Sequence, residues 1–345
     1  MQQTTTNQEK FYSKNNLIKL LKLFLIAAVF IATVIFIATF IATLNFMGTV
    51  QPPEIPVVEE PGLTAPERFS DEDRKELFYT FLILGLNESI NANTIMVASY
   101  DGISGEANLV SIPRDSLVDA TRRVRKINSA FPNGMIRYGG VEGGIIQMQR
   151  EVMDVIGFVP DFYIVIDFDA FERLIDVAGG VEIYVPFHMR YDDPFQNLHI
   201  DIPPGLHHMD GKTALHFARY RQSNRGFRAI TDYQRIENQQ TVINAALGNL
   251  LTPANILNVP EFIDIFVENV HTNLTPGNLL WFAMQFNEIR NTDAISAYTA
   301  PTTGTSGAPM WYELLDGPAI VELVNRTINP YERDIELEDL NIIRQ

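Results

Sequence analysis

An α/β three-layer sandwich with a central mixed sheet, preceded by one N-terminal transmembrane helix, is the fold this sequence predicts. Three observations predict it. Residues 23–44 (LFLIAAVFIATVIFIATFIATL) run for 22 residues without a charge, long enough at about 1.5 Å per residue to cross a hydrocarbon core of about 30 Å. Beyond residue 76, apolar runs of strand length alternate with segments of helical period. Several of those runs are apolar on both faces, which implies a sheet covered by helices on each side.

Residues 1–22 carry Lys10, Lys14, Lys19 and Lys22, whereas Glu54, Glu59, Glu60 and Glu67 follow the span. The positive-inside rule puts 1–22 in the cytoplasm, 23–46 in the membrane and everything after about residue 48 outside a bacterial cell. A secretory signal peptide has an apolar core of only about 7–15 residues, so the length favours an uncleaved anchor. A buried core helix is the bland alternative, and an all-round apolar run of this length at a terminus argues against it. Residues 47–75 contain five prolines and no periodic pattern and read as a stiff extracellular linker.

The main domain is expected over 76–330. Its strands are expected at Leu77–Leu86, Thr94–Tyr100, Ala107–Ile112, Phe162–Phe168 and Val181–Val185, with a last one at Ala294–Thr299. Helical patterns cover Gly140–Ile156, Ala170–Ala178, Gly211–Arg219, Asp232–Leu251, Pro260–Val270, Pro276–Arg290 and Pro318–Arg326, with Asp169 and Asp210 placed as N-caps. Residues 331–345, with an acidic stretch from Glu332 to Asp339, read as a tail beyond the domain.

The chain has no cysteine, which removes disulfides, thiolate metal sites and cysteine nucleophiles. A net charge of −16 argues against nucleic acid as a partner. Against that acidity, Arg219–Gln240 holds Arg219, Arg221, Arg225, Arg228 and Arg235 but only two acids, Asp232 and Glu237. A second basic stretch holds Arg114, Arg122, Arg123, Arg125 and Lys126. Guanidinium groups at this density suit phosphate or carboxylate oxygens, which they hold through paired hydrogen bonds.

Residues 107–115 form an apolar strand that stops at Pro113 and delivers Arg114 and Asp115 at its end, where ligands of open α/β sheets gather. A local Arg-Asp ion pair is the competing reading. Arg219 and Arg221 point the same way only on an extended stretch, so the chain should leave its helix after Phe217. Asp232, Arg235 and Gln239 share one helix face at i, i+3 and i+7, although Asp232 could simply be an early-turn acid favoured by the dipole. Arg225 and Arg228 stand open between substrate contact and solvated loop charge.

SIPRDS (111–116), KINSAF (126–131), YGG (138–140), DVAGGVEIYV (176–185), GLHHMDGKTALHFARYR (205–221) and DYQRIENQQ (232–240) occur in the order of the LytR-CpsA-Psr family. The chain resembles these envelope phosphotransferases from about Leu77 to Leu251. The resemblance implies transfer of a glycopolymer, such as teichoic acid or capsule, from a polyprenyl-pyrophosphate carrier to a peptidoglycan sugar hydroxyl, assisted by magnesium. It further implies that Arg114, Arg219 and Arg221 grip the pyrophosphate with Lys126, Arg235 and Gln239 nearby. Asp232 would orient these groups or the incoming hydroxyl, and Asp115 or Asp232 could be the base. Phosphoryl transfer itself wants these residue types, because it is largely positioning and neutralisation of oxygen charge.

One departure stands out. The family places two metal-site aspartates where this chain has Asn87 and Asn93, and Asn238 replaces an arginine. Magnesium prefers carboxylates. Asn carbonyls with waters and phosphates could still hold a weak metal, or Glu88 could substitute, or the protein binds the lipid without efficient transfer. A non-catalytic binder or sensor of polyprenyl-pyrophosphate is therefore the alternative function, and a pyrophosphatase a third. His207–His208 lack the spacing of a helical zinc pair, Gly139–Gly144 is no dinucleotide fingerprint, and Ser111 lacks a nucleophile elbow.

Overall fold

The computed structural model describes residues 50–57, 63, 68–250, 259–286, 295–307 and 310–343. The expected membrane span, 23–46, lies outside them, as does the cytoplasmic segment 1–22. Among the described residues no helix is long and apolar enough to cross a membrane.

Six strands build the main sheet in the order β10-β3-β2-β1-β4-β9. They are β1 (Phe78–Leu86), β2 (Ala92–Asp101), β3 (Ala107–Ser111), β4 (Phe162–Ile166), β9 (His271–Thr272) and β10 (Ile295–Thr299). β1 is central: it pairs antiparallel with β2 and parallel with β4, so the sheet is mixed as expected. Its alternate side chains serve different layers. Leu82, Leu84 and Leu86 enter one core with Ile145, Met148 and Val152 of the helix Gly140–Ile156, and with Ile320 and Val324 of the helix Gly317–Thr327. On the opposite face Tyr79 and Phe81 meet Phe282 of the helix Pro276–Phe286 at ring centroids 5.3 and 5.1 Å. Both faces of the sheet are thus covered, which is why its strands carry few polar residues.

A second core lies under two nested hairpins. β5 (Val181–Val185) pairs with β8 (Gly205–Met209), and between them β6 (Met189–Asp193) pairs with β7 (Leu198–Ile202). Val181, Ile183, Leu198 and Ile200 pack there on the helices α3 (Phe168–Val177) and α4 (Gly211–Arg219) and on Val242 of α5 (Asp232–Leu250). Here α1 and α2 denote Ala130–Gly134 and Gly140–Ile156. Gly211 is required at this junction, because a Cβ there would lie 2.1 Å from the Glu172 carbonyl oxygen on α3.

Four expectations need correction. The fourth strand ends at Ile166, and Asp167 rather than Asp169 caps α3, its Oδ1 accepting the Ala170 N–H at 2.8 Å. Ahead of α2, residues 127–139 form short helical turns, the last of them π-helical at Met135–Gly139. Described residues of the linker are packed: Leu63 and Phe69 are buried, and Phe69 stacks on Tyr331 at 4.3 Å. Residues 331–343 are not a free tail. Ile335 and Leu340 belong to the main core, while the intervening acids pair with Arg68 (Glu336 at 3.1 Å, and Asp339).

Candidate functional site

Five segments converge at one end of the sheet. β1 ends at Leu86 and hands over to Asn87, and β2 begins beside Asn93. β3 stops because Pro113 has no N–H to continue the ladder, leaving Arg114 at its end; the Arg114 carbonyl accepts the Asn128 N–H at 3.2 Å. Asp210 caps α4 by accepting the Thr213 N–H at 2.8 Å. α4 runs to Arg219, two residues past the expected exit at Phe217, and then breaks at Tyr220 with an extended ψ of 125°. That break is held by a buried tyrosine whose hydroxyl donates to the Arg228 carbonyl at 2.6 Å. Arg219 and Arg221 flank it, and both line the same cavity.

The cavity is about 490 Å³ in volume. Ile83, Ile164, Ile166, Phe171, Leu215 and Ile243 make much of its wall, and its polar lining holds Asn87, Asn93, Arg114, Arg219, Arg221, Arg235 and Gln239 together with Asp167, Tyr191, Asp193 and Gln222. An open basin adjoins it, lined by Asp115, Lys126, Asn128 and Met310 and sharing Asn93, Arg114 and Arg221 with the cavity. Those three residues therefore stand at the junction of an apolar chamber and a polar, solvent-facing one.

Asp232 organises the cations. Its Oδ1 lies 3.0 Å from Arg235, 3.4 Å from Arg221 and 3.6 Å from Arg114, and Arg235 also donates to its Oδ2 at 3.1 Å. One carboxylate among three guanidiniums leaves two positive charges unmatched. Among the described residues the buried Nε atoms of Arg114 and Arg235 have no hydrogen-bond partner, and buried donors without partners are uncommon. Burial pushes the Arg235 guanidinium down to about 10, a fall that Asp232 opposes and Arg114 and Arg221 reinforce. Arg219 is also lowered by burial, and its guanidinium lies 4.3 Å over the Phe168 ring. The arrangement suits a compact polyanion entering between the arginines.

Of the expected residues, Arg114, Arg219, Arg221, Arg235, Gln239, Asn87 and Asn93 meet in the cavity, with Asp232 among the arginines. Asp115 and Lys126 sit in the basin and pair at 3.0 Å. Arg122 is structural: it binds Glu151 on both guanidinium arms and donates to the Lys126 carbonyl at 2.8 Å. Arg225 and Arg228 are exposed and line neither chamber. Sequence reasoning missed Phe168 and Tyr220, aromatics that read as core; the Tyr-Arg step inside the ARYR block was the one available signal for the latter.

The residues present do not fit a hard divalent cation. No group of three or more His, Asp or Glu able to hold a metal occurs among the described residues. The Asn87 Oδ1 already accepts the Ser89 and Asn91 N–H groups at 3.1 and 2.9 Å, and the charged residues shared by cavity and basin are Arg114 and Arg221, with Asp167 and Asp193 elsewhere in the cavity wall and the basin's Asp115 paired to Lys126.

The family model for LytR-CpsA-Psr proteins matches residues 66–329 of the 345. The polyisoprenyl-teichoic acid–peptidoglycan teichoic acid transferase TagV of Bacillus subtilis is 27% identical over 214 residues, 59% of this chain and 51% of that protein. The regulatory protein MsrR of Staphylococcus aureus is 27% identical over 230 residues, 64% of each. This chain thus spans only about half to two thirds of these relatives. The crystal structure of B. subtilis TagV superposes with a TM-score of 0.60 at 22% identity, covering 77% of this chain and 98% of that one. TagT bound to LI-WTA gives 0.58 at 19%, covering 81% and 100%. At such identities these structures support the α/β fold with its mixed sheet.

Proposed function

The chain belongs to the LytR-CpsA-Psr family, and on that premise we propose that it transfers a glycopolymer from a polyprenyl-pyrophosphate carrier to a peptidoglycan sugar hydroxyl. One observation carries the proposal: a largely apolar cavity of about 490 Å³ ends at Arg114 and Arg221, with Arg219 and Arg235 in its wall. The prenyl tail would occupy the cavity and the pyrophosphate would sit among the guanidiniums. The junction with the open basin gives glycan and acceptor room on the solvent side. The acceptor hydroxyl gives its proton to Asp115 or Asp232, its oxygen bonds to phosphorus, the bridging P–O bond breaks, and the prenyl phosphate leaves. The arginines stabilise charge on the non-bridging and leaving oxygens, an effect worth about 10³–10⁵ in rate for one well-placed arginine. The names of the relatives TagV and TagU, both teichoic acid transferases, support this reading.

The same proposal places residues 23–46 across the membrane and the domain outside the cell. Protease added to intact cells should then digest the domain and leave the N-terminus protected; protection of the domain would refute the topology.

Purified protein given a lipid-pyrophosphate-linked donor and peptidoglycan oligomers should transfer the glycan. Arg114→Ala and Arg219→Ala should each cut the rate at least about 100-fold. Transfer that survives both changes removes the assigned roles. Asn87 and Asn93 favour a second reading, a polyprenyl-pyrophosphate binder without transfer, which predicts donor binding and no product in the same assay.

A further inference from the structure

We propose that Asn87 and Asn93 bind the pyrophosphate directly as N–H donors, so that this site takes a prenyl pyrophosphate without any divalent cation. The inference rests on the ligand class proposed above but not on transfer.

Asn87 sits in the turn between β1 and β2. Its own N–H donates to the Asn91 carbonyl at 3.1 Å, and its carbonyl accepts the Ile90 N–H at 2.8 Å. Its side-chain Oδ1 accepts two further backbone N–H groups, from Ser89 and Asn91. An amide oxygen has two lone pairs, and both are used. The orientation of the amide follows, since the reverse would set Nδ2 against two N–H donors. What Asn87 can still offer to a ligand in the cavity is Nδ2, a group with two hydrogens to donate and nothing to give a metal.

The side chain of Asn93 has no hydrogen-bond partner among the described residues. It lines cavity and basin together with Arg114 and Arg221. An aspartate at either position would put a second carboxylate oxygen where an amide nitrogen now lies. That oxygen would repel a phosphate and need a cation between them. With amides, the polarity of this wall is inverted, and it continues the set of donors begun by the arginines. A divalent cation there would instead face four guanidiniums, while Asp167 and Asp193 line other parts of the cavity wall and Glu88 of the β1–β2 turn already acts on the Arg219 guanidinium.

The test is calorimetric titration of the wild-type protein with geranylgeranyl pyrophosphate, in EDTA and again in magnesium. The expected Kd differs less than about twofold between the two. Asn93→Asp should weaken binding in EDTA at least about tenfold, with magnesium recovering much of the loss. Asn93→Ala, which adds no charge and lies outside the Asn87 turn, should weaken binding about tenfold in both buffers, the effect of one lost hydrogen bond to a charged group. A wild-type Kd that rises tenfold or more in EDTA overturns the inference. So does an Asn93→Ala protein that binds like wild type, or a wild type that binds the probe in neither buffer. Cation-free binding with no transfer in the donor–acceptor assay would refute the transferase reading and leave this inference standing.

Discussion

Asp232 is the residue on which the charge balance of the site turns. Its side chain is 18% exposed and faces Arg235, which is 6% exposed, together with Arg114 and Arg221. Removing its charge leaves three guanidiniums to repel one another in a poorly solvated place. Asp232→Asn should therefore cost about 1–3 kcal/mol, read as a Tm lower by several degrees in the absence of ligand. Inorganic pyrophosphate should recover more of that loss than it adds to wild type, because phosphate then supplies the missing negative charge. An unchanged Tm, or equal ligand shifts in both proteins, would sink this account. The arginines and Gln239 were legible in the sequence because the chemistry demands those residue types. Phe168 and Tyr220 were not, since an aromatic ring reads as core until the arginine or carbonyl it meets is known.

α2 shows how an element acquires a property from what packs on it. Its last turn carries Asp154, whose carbonyl accepts the Asn341 N–H at 2.8 Å. Burial pushes the Asp154 carboxyl up from 3.8 to about 6, with the charges of Glu151 and Asp119 adding to it and a hydrogen bond from Asn341 opposing it. The folded state thus holds this proton to higher pH than the unfolded chain does. Stability at this site is greatest below about pH 4 and is lost as pH rises through about 6. Asp154→Asn should flatten that dependence and add about 1–2 kcal/mol at pH 7–8, a figure discounted for partial exposure. Denaturant melts from pH 4 to 8 would check it, and an unchanged slope would refute it. At this scale most elements were legible within a residue or two, because long apolar strands and capped helices declare their own period. The inner hairpin was not assigned, although LHIDI (198–202) alternates cleanly; its partner strand, MRYDD (189–193), is too polar to signal itself.

At the scale of the whole domain, the described segments before β1 and after the helix Gly317–Thr327 pack together. Arg333 reaches Asp73 at 3.0 Å, Arg74 reaches the buried Asp161 at 2.9 Å, and Ile335 and Leu340 fill the core beneath α2. Ile335, 1% exposed, should cost about 2–4 kcal/mol as alanine, measured by urea denaturation. A change within about 0.5 kcal/mol would mean that residues 331–343 behave as a solvated tail after all. That segment misled because its acids dominate its composition, while its three core side chains, Tyr331, Ile335 and Leu340, are spaced too irregularly to show a period. By itself, the sequence determined the α/β class, the mixed sheet, the basic segments and the family. Each is written in local periodicity or in residue type at fixed spacing. Only the tertiary structure decided that Arg114 meets Arg221 and Arg235 around one carboxylate, and that both ends of the domain are packed. These depend on contacts between residues far apart in the chain, and a side chain's period reports that it is buried, not what it is buried against.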